Sequence, residues 1–143
     1  MKKDRPGLQD LKNAAKKARV HAYAPYSHHH VGAAVLTTSG KIYSSGNVEN
    51  GCYALTICAE RGALYHAIAN GECEFEALAV TNGSTELITP CGVCRQVLWE
   101  LAGDIKIILF NSQNKKVVTS LSKLYPKPYK KKSQKRLLKH RKK

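Results

Sequence analysis

The segment Pro90-Cys91-Gly92-Val93-Cys94 constrains the fold more than any other part of this sequence. Thr89 and Pro90 are residue types favoured as the cap and the first residue of a helix, so we predict that a helix begins here. A Cys-x-x-Cys pair at a helix start can direct both sulfur atoms at one point. Cys58 stands at the predicted start of a second helix and can supply a third sulfur atom. The sequence therefore predicts that two helix N-termini share one cluster of thiols.

The remaining pattern predicts an α/β fold, a three-layer αβα sandwich around a mixed five-stranded sheet. Apolar residues spaced by three and four predict helices, and short apolar runs bounded by turn signals predict strands. The predicted strands cover Val31–Thr37, Lys41–Asn47, Phe75–Thr81, Ile105–Phe110 and Lys116–Thr119. The predicted helices end before Pro25, at Asn70-Gly71 and at Gly103.

The charge is distributed unevenly along the chain. Its 143 residues suffice for one domain, and a hydrophobic content of 43% excludes a wholly disordered chain. The formal net charge is +14, but residues 127–143 hold ten of the 24 Lys and Arg and none of the ten Asp and Glu, which leaves about +4 for residues 1–126. We predict a domain at 1–126 and a Lys/Arg-rich tail at 127–143, disordered beyond Tyr129.

The tail has two interpretations. As a flexible, solvated extension it needs no partner. Alternatively, it binds nucleic acid, a phosphorylated ligand or an acidic protein through its charge. We favour the first interpretation and keep nucleic acid as an alternative partner.

The cysteines and the hydropathy of the sequence indicate the cellular compartment of the protein. The apolar runs are too short to span a bilayer, and the charged start lacks the apolar stretch of a signal peptide. Five cysteines without an export signal favour thiol or metal chemistry in a reducing compartment. We therefore predict a cytoplasmic protein with no membrane partner.

The cysteine cluster is typical of a catalytic zinc site. Three thiolates leave one tetrahedral position of Zn²⁺ open, whereas a structural site needs four ligands. The predicted ligands are Cys58, Cys91 and Cys94. Glu60 follows the first of them by two residues, so it can lie beside the metal and carry protons without binding it. Arg61 and Arg95 are each placed to donate hydrogen bonds to the ligand sulfurs.

Other interpretations of these residues remain open. The three cysteines can be inert buried thiols, or a structural zinc site with Glu60 or a histidine as fourth ligand. Cys52 and Cys73 lack metal-ligand spacing and are predicted to be core or loop residues. The run His28-His29-His30 is assigned to a pocket rim or the surface rather than to a metal, because consecutive residues of an extended chain point to alternating sides.

Five segments together resemble the family of small, homotetrameric, zinc-dependent cytidine deaminases, from about residue 8 to residue 129. They are Ala24-Pro25-Tyr26-Ser27, Val31-Gly32-Ala33-Ala34, Gly46-Asn47-Val48-Glu49-Asn50, Leu55-Thr56-Ile57-Cys58-Ala59-Glu60-Arg61 and Pro90-Cys91-Gly92-Val93-Cys94-Arg95-Gln96-Val97. Cys-x-Glu followed by Pro-Cys-x-x-Cys is the three-cysteine form of the zinc deaminase signature. The resemblance implies a homotetramer with one Zn²⁺ per subunit. It also implies hydrolytic deamination of cytidine and 2′-deoxycytidine to uridine and 2′-deoxyuridine plus ammonia, in pyrimidine salvage.

The resemblance also implies roles for individual residues. Glu60 matches the proton shuttle, which also holds the base at N3 and at the amino group. Asn47 and Glu49 match the pair that hydrogen-bonds the sugar hydroxyls. The backbone N–H of Ala59 matches the contact to the base carbonyl O2. Arg61 matches an arginine that hydrogen-bonds the ligand sulfurs.

Further substrate-binding positions are implied where the sequence is more divergent. Tyr53 and Tyr129 match aromatic positions that help complete a neighbouring subunit's site. His29 stands where the family commonly has a Phe lining the base pocket, and an imidazole can still stack there. Gly51 replaces a common Ala beside the sugar-binding pair.

Three other functions are compatible with the sequence. His29 keeps open a deaminase of a modified cytosine nucleoside such as blasticidin S. The basic tail keeps open a polynucleotide cytosine deaminase, which would bind with a steep salt dependence. Glu60 and the open metal position argue against a non-enzymatic, zinc-stabilised nucleic-acid-binding module. Without the resemblance, Asn47 and Glu49 would be ordinary polar residues at a hairpin exit.

Overall fold

A computed structural model describes residues 5–131 and contains five β-strands in that range. Its strands are β1 (Gly32–Thr37), β2 (Ile42–Gly46), β3 (Phe75–Thr81), β4 (Lys106–Phe110) and β5 (Lys116–Ser120). Within that range they form one sheet in the order β2-β1-β3-β4-β5. Strands β3 and β4 are parallel, and the other neighbours are antiparallel. The predicted mixed five-stranded sheet is confirmed.

The helices pack on both faces of this sheet. They are α1 (Leu8–Val20), α2 (Ala59–Ala69), α3 (Gly92–Leu101) and the short α4 (Leu121–Leu124), with a 3₁₀ turn at Tyr53–Leu55. The three long helices follow the predicted apolar periodicity. The 3₁₀ turn and α4 were not predicted, since three or four residues are too few to show a helical period.

Strand β1 shows how the layers are assembled. Ala34 and Leu36 lie in the apolar cluster that contains Leu11 of α1. Ala33 and Val35 point to the opposite face and lie in the larger cluster with residues of α2 and α3. All six residues of β1 are buried, as expected for a central strand covered on both faces. The layers are therefore α1, the sheet, and α2 with α3.

Two glycines let α1 lie directly on the β1–β2 hairpin. A Cβ on Gly32 would overlap the carbonyl oxygen of Ala15, and a Cβ on Gly46 would lie 2.8 Å from the carbonyl oxygen of Ala18. Because the helix backbone approaches this closely, both positions need a residue without a side chain. Strand β2 ends at Gly46, which lies against α1, and Asn47 is the next residue.

The start of α3 differs from the prediction by two residues. The N-cap is Cys91, whose Sγ accepts a hydrogen bond from the Cys94 N–H at 3.4 Å. The prediction that Thr89 caps the helix was wrong, because its hydroxyl accepts a hydrogen bond from Arg95 instead. Helix α2 begins after Cys58, as predicted.

The described part of the chain extends past the predicted domain boundary at residue 126. Residues 127–131 are described, and their contacts with α3 are given below. Residues 132–143 lie outside the described residues, so the predicted disorder of the tail stays a prediction. Among residues 5–131, no helix combines the length and apolar character needed to cross a membrane.

Candidate functional site

Three cysteine sulfurs converge where α2 and α3 begin. Cys58 is the N-cap of α2, Cys91 is the N-cap of α3, and Cys94 lies in the first turn of α3. Their Sγ atoms all lie within 4.8 Å of one another, and those of Cys58 and Cys91 are 3.9 Å apart. Two sulfurs bound to one tetrahedral Zn²⁺ at about 2.3 Å lie about 3.8 Å apart. The donor set and its spacing therefore fit zinc.

The cluster contains three donor residues rather than four. Among the described residues, these three cysteines are the one group of three or more His, Cys, Asp or Glu with donor atoms close enough to share a metal ion. Glu60 is outside that group, although it follows Cys58 by two residues. This geometry favours a three-thiolate site with an open position over a four-ligand structural site.

Arg61 links the cluster to its surroundings. Its Nη2 donates to the Sγ of Cys58 at 3.7 Å and to the carbonyl oxygen of Thr56 at 3.0 Å. Its buried Nε has no hydrogen-bond partner among the described residues. A guanidinium here offsets the negative charge of the thiolates and fixes the orientation of one ligand.

The hydrogen bonds of Arg95 differ from the prediction that it donates to the ligand sulfurs. Its three hydrogen bonds go to the carbonyl oxygens of Pro90 and Leu124, at 2.7 and 2.8 Å, and to the hydroxyl of Thr89 at 2.9 Å. These three oxygen acceptors, and not the predicted ligand sulfurs, therefore position the Arg95 side chain. Instead, Arg95 ties the loop before Cys91 to the end of α4.

The thiols of the cluster do not ionise alike. The Cys94 thiol donates a hydrogen bond to Cys58 and, together with Arg61, lowers the pKa of Cys58 against the effect of burial. The same hydrogen bond, burial and the negative charge of Glu60 raise the pKa of Cys94. One thiolate thus forms readily, and the second needs a cation to displace its proton.

Glu60 is a buried carboxyl group with a raised pKa. It is the second residue of α2, and only 5% of its surface is exposed. Burial, followed by the negative charge of Cys58, raises its pKa to about 7, while its own backbone N–H and Arg61 act in the opposite direction. A carboxyl group of this kind can take up and release a proton near neutral pH.

Asn47 is held by the loop that carries the histidines. Its Oδ1 accepts from the Val31 N–H at 2.8 Å, and its Nδ2 donates to the His29 carbonyl oxygen at 2.9 Å. Each end of the amide retains capacity for one further hydrogen bond. Its role at the sugar stays a prediction, but its orientation is fixed.

Glu49 stands at the edge of a cavity of about 370 Å³. The cavity is lined by Tyr26, Ser27, Glu49, Tyr53 and Thr56. The carboxylate accepts hydrogen bonds from the Tyr26 and Ser27 N–H groups, at 2.9 and 3.2 Å, and from the Ser27 hydroxyl. The Ser27 hydroxyl is the main cause that lowers the pKa of Glu49, and the two N–H groups and His28 add to it. Glu49 is therefore an ionised group at the cavity.

Arg61 links the cavity lining to the thiol cluster. Thr56 lines the cavity, and its carbonyl oxygen accepts from the same Arg61 nitrogen that donates to Cys58. Ala59 is the first residue of α2, so its buried N–H has no acceptor within the helix and is available to a ligand. Thr56 thus connects the cavity that Glu49 lines to Arg61, and through Arg61 to Cys58.

The remaining predicted residues lie at the periphery. His29 is exposed, and its N–H donates to the Ser27 hydroxyl at 3.1 Å. Gly51 lies against Tyr26, since a Cβ there would be 3.1 Å from the Tyr26 hydroxyl oxygen. Tyr53 packs edge-on against Tyr26 with 6.3 Å between ring centroids and is 78% exposed.

Tyr129 is 70% exposed. Its backbone N–H and carbonyl oxygen both form hydrogen bonds with the side chain of Gln96, a residue of α3. The sequence alone indicates no role for Gln96 or Ser27, although both occur in the segments that carry the resemblance. No local pattern could have revealed them, because their partners are 33 and 22 residues away.

Comparisons with known proteins agree with this geometry. The family model described as "Cytidine and deoxycytidylate deaminase zinc-binding region" matches residues 6–111, which include all three clustered cysteines and Glu60. A cytidine deaminase of Sporosarcina psychrophila is 42% identical over 120 residues, 83% of this chain and 88% of that protein.

A solved structure and a more distant relative extend the comparison. The crystal structure of a cytidine deaminase from Burkholderia pseudomallei superposes with a TM-score of 0.83 at 44% identity, and covers 87% of this chain and 100% of that one. A blasticidin-S deaminase of Bacillus cereus is 32% identical over 109 residues, 71% of this chain and 77% of that protein. Both proteins carry names of deaminases.

Proposed function

Because this chain belongs to the cytidine and deoxycytidylate deaminase family, we propose that it converts cytidine and 2′-deoxycytidine, with water, to uridine and 2′-deoxyuridine plus ammonia. One observation carries the proposal: three cysteine sulfurs with zinc-compatible spacing lie beside a buried carboxyl group, Glu60, whose pKa is near neutral. We assign the reaction to pyrimidine salvage, because its substrates are free nucleosides.

The residues of the metal site have two different roles. Cys58, Cys91 and Cys94 would hold one Zn²⁺ per subunit, and Arg61 would stabilise the thiolate of Cys58 through its hydrogen bond. When bound, Zn²⁺ supplies a Lewis acid that makes a water molecule more acidic. The open fourth position is the reason why three thiolates suffice here.

Glu60 moves the protons. It accepts a proton from the attacking water and delivers it to N3 of the base. It then takes the second proton from the hydroxyl group now on C4 and passes it to the amino group, so that the C4 carbonyl forms as the C4–N bond breaks and ammonia leaves. The raised pKa of Glu60 suits both directions of transfer near neutral pH. General acid–base catalysis of this kind contributes about 10²–10⁴-fold to a rate.

Substrate selection depends on three residues, of which Glu49 lines the cavity. We assign Asn47 and Glu49 to the sugar hydroxyls and the N–H of Ala59 to the base carbonyl O2. Hydrogen bonds from Ser27 and Tyr26 keep Glu49 ionised, so its carboxylate would repel a phosphate group nearby. This charge favours free nucleosides over nucleotides.

The resemblance implies a homotetramer, and two exposed tyrosines are compatible with contacts between its subunits. Tyr53 and Tyr129 are 78% and 70% exposed, although large aromatic side chains are more often buried. We propose that each completes the site of a neighbouring subunit. We also place the protein in the cytoplasm, because free thiol ligands persist in a reducing compartment.

A modified cytosine nucleoside is the second candidate substrate. His29 replaces the usual aromatic residue of the base pocket, and its side chain is exposed. A wider or more polar pocket of this kind would admit a substituent that a Phe excludes. The similarity to a blasticidin-S deaminase makes blasticidin S the substrate to test first.

The test is a spectrophotometric assay of the zinc-loaded protein on cytidine, 2′-deoxycytidine, dCMP, blasticidin S and a short cytosine-bearing oligonucleotide. We expect turnover of the two nucleosides, and a decrease in kcat of about 10²–10⁴-fold in Glu60→Gln. The variant should retain the zinc content of the parent. Activity on blasticidin S or the oligonucleotide alone would reject cytidine as the substrate, and full activity of Glu60→Gln would reject the role of Glu60.

A further inference from the structure

A second cavity, of about 210 Å³, lies on the face of the sheet that α1 covers. Its apolar lining residues are Leu8, Leu11, Leu36, Ala77, Ile108 and Val118. Four of them belong to the buried apolar cluster of that face, namely Leu11, Leu36, Ala77 and Ile108. The thiol cluster and Glu60 lie at the starts of α2 and α3, which pack on the other face. The second cavity also shares no lining residue with the cavity at Glu49, so it is a separate site.

One wall of this cavity is formed by strands β4 and β5. Ile108 of β4 pairs with Val118 of β5, and both residues line the cavity. Ile108 is buried, whereas Val118 lies on the edge strand of the described sheet and is 49% exposed. An apolar cavity of about 150 Å³ is large enough to hold one benzene molecule. A cavity of about 210 Å³ with these walls therefore has room for an apolar body of one ring or a short alkyl chain.

Lys106 is a cation in the lining of this cavity. Among the described residues, neither ion pair includes it. Glu76 also lines the cavity, but its carboxylate forms an ion pair with Arg5. The Asp10 carboxylate accepts a hydrogen bond at 2.9 Å from the N–H of Gly7, another lining residue. These two carboxylates are thus already partnered, whereas the ammonium group of Lys106 is available to a ligand.

Three more lysines lie near the Phe110 ring, beside the cavity. Lys116 pairs directly with Phe110 across the β4–β5 ladder, so the two side chains share the α1 face. The ammonium groups of Lys12 and Lys16 lie 5.1 and 5.8 Å from the centre of the Phe110 ring. Phe110 follows the cavity residue Ile108 by two positions, which is about 7 Å along a strand. The charge of these lysines therefore favours an anion in the cavity over a neutral or cationic molecule of the same shape.

We propose that this cavity binds an ionised carboxylic acid whose apolar body is one ring or a short alkyl chain. The body fills the space lined by Leu11, Ile108 and Val118, and the carboxylate pairs with the ammonium group of Lys106. A nucleoside is a poor occupant, because its hydroxyl and amide groups would lose hydrogen bonds to water against these apolar walls. The ligand occupies a different cavity from the proposed substrate, so this inference does not depend on the deaminase reaction.

The test is an NMR titration of the full chain, labelled at its Ile, Leu and Val methyl groups, at about pH 7, where carboxylic acids are ionised. The ligands are phenylacetate, hexanoate and phenylacetamide, which resembles phenylacetate in shape but carries no charge. Phenylacetate should shift the methyl signals of Leu11, Ile108 and Val118 with a Kd of about 1–10 mM, as expected for so small a ligand. Phenylacetamide should bind about 2–5-fold more weakly, which is the contribution of an exposed ion pair. The relative affinities of phenylacetate and hexanoate distinguish an aromatic from an alkyl body.

Two pairs of variants locate the ligand. Lys106→Gln should remove the preference for phenylacetate over phenylacetamide, whereas Lys17→Gln, at an exposed position of α1 outside the cavity lining, should keep it. Val118→Phe should abolish saturable binding, because the larger side chain takes up the space. Val117→Phe places the same side chain on the other face of β5 and should leave the Kd unchanged. Val117 and Val118 are both exposed, so both variants should fold, and thermal unfolding checks this.

Four results would each overturn the proposal. The first is the absence of saturable binding of either acid to the parent. The second is equal binding of phenylacetate and phenylacetamide. The third is binding that Lys106→Gln and Val118→Phe leave unchanged. The fourth is a set of shifts at Val48 and Leu55, which are adjacent to lining residues of the other cavity, without shifts at Ile108.

Discussion

The Sγ atoms of Cys58 and Cys91 lie 3.9 Å apart, although 33 residues separate them in the sequence. Each cysteine is the N-cap of a different helix, so this distance reports how α2 and α3 pack on the sheet. The spacing is close to the value of about 3.8 Å between two sulfurs on a tetrahedral zinc ion. Metal binding therefore stabilises an arrangement that the fold already holds.

Removal of one ligand should remove most of the zinc and much of the stability that it adds. In Cys91→Ser we expect zinc content to fall from one per subunit towards zero, because two thiolates and a hydroxyl bind Zn²⁺ weakly. The melting temperature should fall, since the folded state loses the binding free energy of a ligand. Elemental analysis and thermal unfolding measure the two effects.

Cys73→Ser is the matched control, because Cys73 lies outside the cluster. It should retain one zinc per subunit. A chelator should lower the melting temperature of the parent and of Cys73→Ser, but not that of Cys91→Ser. Equal responses in all three proteins would contradict the assigned ligands.

Arg61 and Arg95 should differ in their effect on zinc retention. Arg61 donates to Cys58, whereas Arg95 donates to oxygen atoms of Pro90, Leu124 and Thr89. Loss of a hydrogen bond to a ligand costs about 10–100-fold in metal affinity. Competition with a chromophoric chelator should therefore show weaker binding in Arg61→Gln.

Arg95→Gln should keep a zinc affinity near that of the parent and lower stability instead, because it loses the tie between the Cys91 loop and α4. A reversed pattern, with Arg95→Gln releasing zinc more readily than Arg61→Gln, would be inconsistent with the hydrogen bonds described.

These two arginines also show how far the sequence alone can predict the site. Helix starts, strands and the thiol cluster depend on local patterns of caps, periodicity and ligand spacing, and these were predicted closely. Arg95 is adjacent to Cys94, and sequence proximity placed it at the sulfurs. Its actual direction depends on the carbonyl of Leu124, 29 residues away, which no local pattern encodes.

The same limit applies to Glu49. Its segment predicted a role at the sugar, but not the partners that keep it ionised, because the loop that carries Tyr26 and Ser27 meets it only in the folded chain. The charge of a site residue thus depends on tertiary contacts even where its identity is evident from the sequence.

Ser27→Ala should raise the pKa of Glu49, because the Ser27 hydroxyl is the main cause that lowers it. The folded-state pKa of Glu49 is below its unfolded value, so its ionised form adds stability above the unfolded pKa, and this is lost as pH falls through the folded pKa. Carboxyl carbon shifts in an NMR titration measure the change. If Glu49 binds the sugar as an anion, KM for cytidine should begin to rise at a higher pH in Ser27→Ala than in the parent.

Ser39→Ala is the control, because the Ser39 hydroxyl donates to Glu72 instead. It should leave the titration of Glu49 and the pH dependence of KM unchanged. An unaltered Glu49 titration in Ser27→Ala would show that the two backbone N–H groups alone account for the lowered pKa.

Lys12 is expected to destabilise the folded protein. It is 6% exposed, and its ammonium group lies 5.1 Å from the centre of the Phe110 ring, a ring that Lys16 also approaches at 5.8 Å. Among the described residues, neither ion pair includes Lys12. Burial, followed by the positive charges of Lys16 and Lys116, lowers its pKa.

Lys12→Met should therefore stabilise the protein slightly, by less than about 1 kcal/mol net near neutral pH, because it keeps the aliphatic contacts and removes the charge. The lost cation–π contact, worth about 0.5–1 kcal/mol, opposes this gain. The unfolded chain binds more protons at this position than the folded chain does. The parent should gain stability as pH rises from the folded towards the unfolded pKa, and the advantage of Lys12→Met should shrink over the same interval.

Urea unfolding at about pH 7 and about pH 10 measures both effects. Lys17→Met is the control, since Lys17 is exposed on the same helix and its replacement should change stability by no more than about 0.5 kcal/mol. A destabilised Lys12→Met, or a gain that does not diminish at high pH, would mean that the contact with Phe110 outweighs the cost of burying the charge. In that case the contacts of Lys12 and Lys16 with the Phe110 ring would stabilise the folded protein.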